Sequence, residues 1–334
     1  MGMRTVVVAL VAVVVACAKT KSGGGDAGDD AAAVVVHAED AGPAPSSNAH
    51  PPAGAAVWSR VAKFADDPVL AKQLAVLLPH FGADGGAKGF DVQRIDLVGT
   101  RQATLVAEAG GANPMVLVTE GDALLWTKDR PVAGIVPPVE HVTISAHAAL
   151  GVALFAWDPP TKIVIGRVWA DDSNAFGDFE MLHVDACDDV VAGYVPDQGI
   201  YVVAATPGGP MLQVMNENNV LQRGRNGTIL GAPFRAPAPL SLVVGEDGSM
   251  FLARWANASA KTSDLLEVTR YQKGKATWPA PVTIEVPRAS APVERIAMKR
   301  LGDGIRIELA HGAVASRAVA VSVDATAAVT RLEK

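Results

Sequence analysis

Five short apolar runs closed by alanine recur along this chain: Thr104–Ala107, Ala153–Ala156, Tyr201–Ala204, Phe251–Ala253 and Ile307–Ala310. The closing alanines stand 49, 48, 49 and 57 residues apart (107 to 156, 156 to 204, 204 to 253, 253 to 310). A period of that size marks one supersecondary unit repeated, because such a unit cannot bury its apolar face alone. Another apolar run precedes each member: Ile95–Val98, Val142–Ile144, Val190–Ala192, Leu240–Val244 and Ile296–Met298. A third set follows at Met115–Val118, Lys162–Val168, Met211–Met215, Leu265–Thr269 and Ala318–Val323. Turn residues break the runs, most clearly Val195-Pro-Asp-Gln-Gly199 and Gly245-Glu-Asp-Gly248, and short β-type runs bounded this way read as antiparallel strands. From Phe90 onward the chain is therefore expected to be all-β.

A four-stranded unit repeated at about 40–50 residues resembles the blade of a β-propeller. The turn segments resemble the Asp-Gly hairpins common in propeller families, and the closing alanines suit places where twisted sheets approach closely. The resemblance covers 90–334 and implies about five four-stranded repeats around a central channel. No Trp-Asp, kelch or complete Asp-box signature is present. A β-sandwich, which also places turns every roughly 8–12 residues, stands as the alternative.

The N-terminus carries a second pattern. Arg4 is followed by the uncharged apolar run Val6–Val15, and Val14-Val15-Ala16-Cys17 precedes an abrupt change to Lys, Ser, Gly and Asp. A charged start, an apolar middle and a small residue at a cut make a secretory signal peptide. The run is roughly half of the about 20 residues that a membrane-spanning helix needs. The cysteine at the cut resembles the lipobox of bacterial lipoproteins. That resemblance implies cleavage between Ala16 and Cys17, lipid on Cys17 and, with Ala18 next, residence in the outer membrane. Three acyl chains, as such families carry, exceed the two-signal requirement for stable anchoring.

From Ala18 to Ala56 the residues are mostly Ala, Gly, Asp, Pro and Ser, too poor in large apolar groups to offset their ordering entropy. The segment reads as a flexible tether of roughly 39 residues, holding the body about 35 Å from the lipid. Val57–Phe81 is the strongly helical stretch. Asp66-Asp67-Pro68 offers an N-cap and a proline at the first helical position, Leu70, Leu74, Leu77 and Leu78 make one stripe, and Pro79 ends it. A helix this short must dock, as a cap over an opening or edge of the body. The expected organisation is signal peptide 1–16, lipidated cysteine and tether 17–56, helical segment and joint 57–89, and propeller-like domain 90–334.

A net charge of −6 argues against nucleic acid, whose binders present a basic face. With lipid on Cys17 no intrachain disulfide is open to Cys187, which reads as a small buried apolar residue. The sequence holds no His-Glu-x-x-His, Cys-x-x-Cys, Gly-x-Ser-x-Gly or EF-hand spacing, so no metal, cofactor or catalytic residue is assigned. Asp171, Asp172 and Asp178 have the chemistry for calcium but match no loop spacing. Charge is uneven. Residues 168–222 hold many carboxylates and no Lys or Arg, whereas 254–306 are rich in both. Such asymmetry would orient the molecule against a charged partner. The channel of a propeller would take Arg94, Asp96, His141, Asp188, Asp189, Arg295 and Lys299 at its strand ends.

Two functions fit. The first is a non-enzymatic outer-membrane lipoprotein that scaffolds another envelope protein. It is similar in plan to the propeller lipoproteins that serve as accessory subunits of outer-membrane assembly machines. The alternative is a glycan-binding module or propeller-type hydrolase acting on envelope or extracellular carbohydrate, with Trp157, Trp169 and Trp255 as stacking platforms.

Overall fold

The apolar runs form antiparallel strands that pair in hairpin succession. The computed structural model describes residues 50–82, 89–109, 111–129, 139–148, 151–169, 179–218, 220–222, 227–231, 239–256, 263–272, 275–278, 280–287, 293–301, 304–311, 321–324 and 326–331. These residues belong to one unit, 46–334. Its first strands are β1 (Gly54–Ala55) and β2 (Val57–Val61). The first sheet runs β2, β3 (Phe90–Asp96), β4 (Arg101–Glu108), β5 (Ala112–Glu120), β6 (Ala123–Lys128). The second holds β7 (Glu140–His147), β8 (Gly151–Asp158), β9 (Ile163–Trp169) and β10 (Phe179–His183). In the third, β1 pairs with β11 (Asp189–Val195), followed by β12 (Gly199–Thr206), β13 (Gly209–Met215) and β14 (Thr228–Ile229). The fourth comprises β15 (Leu240–Val244), β16 (Ser249–Ala256), β17 (Ser263–Gln272), β18 (Lys275–Ala276) and β19 (Val282–Pro287). The fifth is β20 (Val293–Leu301), β21 (Gly304–His311), β22 (Val321–Val323) and β23 (Val329–Arg331). The molecule is thus all-β with several antiparallel sheets, none of which closes into a barrel.

In the first four sheets the runs are largely continuous in apolar residues because both sides of the central strands are covered, whereas the fifth alternates buried Ile296, Met298, Ile305 and Ile307 with exposed Lys299 and Arg306. Side chains alternate along a strand, so Val190, Ala192 and Tyr194 of β11 enter one core while Val191 and Val195 enter another. The largest core joins the first three sheets through Leu105, Ile144, Phe155, Trp169 and Val202. A second lies between the third and fourth, with Tyr201, Leu242 and Tyr271. A third joins the fourth and fifth through Phe251, Trp278, Ile296 and Ile307. Buried polar side chains strap neighbouring sheets together. Gln93 on β3 donates from Nε2 to Val142 O at 2.9 Å, and its Oε1 accepts from Thr143 Oγ1 and Ile144 N. Asp189 Oδ2 accepts from Leu240 N at 2.8 Å, tying β11 to β15. Each strap satisfies main-chain groups that would otherwise be buried without a partner.

The segment 50–61 corrects two sequence expectations. Val57–Val61 is a strand rather than the start of a helix, and pairs with β3 from Val57↔Arg94 to Val61↔Phe90. Gly54–Ala55, assigned to the tether, pairs with β11 through Gly54↔Tyr194 and Ala55↔Gly193. The boundaries at 56 and 90 therefore cut through sheets. A single 3-10 turn at Phe64–Asp66 leads into α1 (Pro68–Ala71), followed by α2 (Leu74–Phe81). Pro79 lies inside α2, whose end comes at Gly82. Leu70 and Leu77 are buried while Leu78 is exposed. Together with Phe64 they cover Phe90, Val92, Val106, Met115 and Leu117, so the helices cap a face of the first sheet rather than an opening or an edge.

Asp67 is the hinge of that docking. Its Oδ1 accepts from Val69 N and Leu70 N at 3.0 and 3.1 Å, and its Oδ2 lies 2.8 Å from Arg94 Nη2. Asp67→Ala should cost about 1–3 kcal/mol in urea unfolding, the sum of a lost cap and an uncompensated Arg94. Asp67→Asn, which keeps an N-cap acceptor, should cost less.

Candidate functional site: the groove beside β1

Two cavities of about 520 and 560 Å3 flank residues 53–57. The segment reaches this place because β11 carries glycine where β1 crosses it. A Cβ on Gly193 would stand 3.2 Å from Ala55 Cβ and 3.0 Å from Val244 Cγ1, so a side chain here would crowd both neighbours and glycine lets them approach. The smaller cavity takes Trp58 and Ser59 from β2, Arg94, Asp96 and Gln102 from the first sheet, and Ala297 and Lys299 from the fifth. The larger takes Val243, Val244, Glu246 and Asp247 from the fourth sheet, with Met298, Lys299 and Arg300 from the fifth. Residues 53–55, Val57 and Lys299 line both.

The polar groups here differ in how well they are satisfied. Gln102 Nε2 donates to Asp96 Oδ1 at 3.1 Å. Arg94 pairs with Asp67 by distance, yet neither its Nε nor its Nη2 makes a well-formed hydrogen bond among the described residues. Asp247 Oδ1 accepts from Ser249 Oγ at 2.6 Å and Ser249 N at 3.0 Å. These bonds, the Ser249 hydroxyl first, hold its carboxyl below the usual carboxylate range, and Arg300 and Arg270 add to the effect. Arg300 Nη1 in turn donates to Ser249 Oγ at 3.3 Å.

A clasp closes over the outer end of the segment. Tyr194 OH donates to Glu217 Oε1 at 2.6 Å, and His50 Nδ1 lies 3.0 Å from the same phenol oxygen. The N–H of Asp197 donates to Glu217 Oε1 at 3.1 Å, and His50 Nε2 stands 3.7 Å from Asp197 Oδ1. Burial, followed by the Glu217 hydrogen bond and charge, pushes the Tyr194 phenol well above its ordinary pKa.

Of the residues expected to line a channel, Arg94, Asp96 and Lys299 meet at the smaller cavity. His141, Asp188 and Asp189 line neither cavity. His141 lies near enough to Asp188 to lower its pKa, although burial raises it by more. Asp189 is buried as the strap to β15, a structural use of its carboxylate. The side chain of Arg295 lies outside those described, as do Asp171, Asp172, Asp178 and the lipobox. Cys187 is buried, and burial first, with Asp189 and Asp188 behind it, pushes its thiol far up. It packs as a small apolar residue rather than serving as a nucleophile.

The tryptophans behave differently from stacking platforms. Trp169 is fully buried. Trp157 and Trp255 pack half-buried against the cores, and the tryptophan beside a cavity is Trp58. Charge on the two halves is partly consumed locally. Lys162 pairs with Asp185 at 3.1 Å, and Arg254 Nε with Glu267 at 2.6 Å. Sequence reasoning missed residues 53–58 as strand and site, since nothing in Ala-Gly-Ala-Ala-Val-Trp marks a strand. Asp247 was legible as part of an Asp-Gly turn, but its neighbour Arg300 comes from a different sheet.

No known protein-family model and no curated protein sequence matches this chain.

Proposed function

We propose that this chain is an exported lipoprotein of the outer membrane, acylated at Cys17, whose body is a β-propeller-like scaffold for a partner protein. An extended segment of that partner would lie in the groove beside β1. The observation that carries the reading is the free edge of β1. Among the described residues β1 pairs with β11 on one side only, and residues 53–55 line both cavities. Such an edge offers main-chain N–H and C=O groups to an added strand, with side pockets for selectivity. What supports the propeller arrangement is the order in which sheets adjoin. The neighbours are β3 and β7, β7 and β11, β11 and β15, β15 and β20, and β20 and β2. A sandwich, the alternative, packs two sheets face to face.

A photo-crosslinking residue at position 53, introduced into the full chain in intact cells, should give a defined protein adduct. The same residue at exposed position 125 on β6 should not, and Cys17→Ser should abolish the adduct by releasing the chain from the membrane. Equal adducts from both positions would sink the groove reading. Trp58 favours a second reading, a sugar site, because it stands beside Arg94, Asp96 and Gln102 in one cavity. Retention on envelope polysaccharide that Trp58→Ala removes, with no protein adduct at 53, would select it.

A further inference from the structure

The clasp at His50 has the donor chemistry of a metal site, independently of the anchor and the groove. We propose that His50, Asp197 and Glu217 bind one divalent transition-metal ion of the zinc class, which fastens the N-terminal segment to the turn between β11 and β12. The three come from separate stretches of chain and offer ligand atoms within 4.8 Å of one another. One imidazole and two carboxylates suit zinc, with water completing four-coordination.

The hydrogen bonds around the triad orient it as outer groups orient metal ligands. Because Tyr194 OH donates to Glu217 Oε1, its oxygen accepts from His50 Nδ1–H at 3.0 Å. That assigns the proton of a neutral imidazole to Nδ1 and leaves the Nε2 lone pair directed outward. Nε2 lies 3.7 Å from Asp197 Oδ1, too far for a hydrogen bond. It is close to the about 3.4 Å between two ligands that each sit about 2.1 Å from a tetrahedral ion. Tyr194 OH and Asp197 N–H both donate to Glu217 Oε1, which also stands 3.3 Å from His50 Nδ1, so the second oxygen of that carboxylate would be the one to meet the ion. Two carboxylates against one neutral imidazole give the site a net negative charge for a cation to neutralise. Asp197 is exposed, with 86% of its side chain open to solvent, so an ion and its water have a path in.

The test is titration of full-length, metal-free protein with Zn2+ near neutral pH against a chromophoric chelator. One equivalent should bind, and His50→Ala and Glu217→Gln should each weaken it at least about tenfold. Asp185→Asn, which alters an acid paired with Lys162, should leave affinity unchanged. Zinc should raise the unfolding midpoint of the unaltered chain but of neither triad variant. Metal-free midpoints of the variants, compared with the parent, separate loss of a ligand from loss of fold. No uptake, or uptake that survives His50→Ala in a folded protein, overturns the site.

Discussion

Phe155→Ala should lower the unfolding free energy by about 3–5 kcal/mol, the usual cost of emptying a buried aromatic position. Phe155 is fully buried in the core joining the first three sheets. Its register partner on β9 is Gly166, and the ring fills the space that this glycine leaves. A Cβ built on Gly166 would stand 2.7 Å from Phe155 Cε1 and 3.5 Å from Met181 Cγ. Gly166→Ala should therefore cost about 1–3 kcal/mol through overpacking. Adding Phe155→Leu to it should cost less than the two single changes summed, because the smaller side chain vacates the contested volume. Urea unfolding of the four proteins measures the cycle. Additive costs would mean that ring and glycine are not coupled, contrary to the contact.

The strand runs of the first four sheets were legible because both faces of their central strands are buried. Burial on both faces makes such strands nearly uninterrupted apolar runs, hairpin succession spaces them, and in the fifth sheet the pattern instead alternates, as at Ile305, Arg306 and Ile307. Thr104–Ala107, Ala153–Ala156, Tyr201–Ala204, Phe251–Ala253 and Ile307–Ala310 all fall in the second strand of a hairpin, β4, β8, β12, β16 and β21. The N-terminal strands were illegible for the opposite reason. Val57–Val61 is short, and neither its partner β3 nor the partner of Gly54–Ala55 on β11 is marked by any local pattern. What puts β1 in place is the missing side chain of Gly193, more than a hundred residues away. The same division runs through the site. Arg94, Asp96 and Lys299 were found by reasoning about strand ends and do converge. Asp189 sits at such an end too, but sheet packing uses its carboxylate to satisfy Leu240 N. Sequence shows which residues are polar at a strand end. It does not show which of them a neighbouring main chain will claim.

Alkaline pH should unfold this protein steeply. All three tyrosines, Tyr194, Tyr201 and Tyr271, have raised pKa values, with burial the leading cause in each case. The Cys187 thiol is raised for the same first reason. The ordinary values are 10.0 for the phenols and 9.0 for the thiol. Below them both folded and unfolded chains are protonated, so the stabilising difference is fully present. Above them the unfolded chain loses protons that the folded chain retains, and stability falls as pH rises toward the folded values. Each such group contributes at most about 1.4 kcal/mol per pH unit, and only between its ordinary value and its folded one, so the fall is steepest just above pH 10 and continues furthest for Tyr194 and Cys187. Against a typical domain stability of about 5–15 kcal/mol, that loss is a large share of what holds the sheets closed. Tyr271 OH donates to Leu230 O at 2.7 Å. Tyr271→Phe should therefore cost about 1 kcal/mol at neutral pH, yet flatten the alkaline slope. Tyrosinate absorbance followed alongside far-ultraviolet circular dichroism decides the matter. The two signals should change together, because these phenols ionise only once the sheets open. Tyrosinate appearing near pH 10 in a protein that keeps its strand signal would mean that the phenols are solvated and the slope has another source.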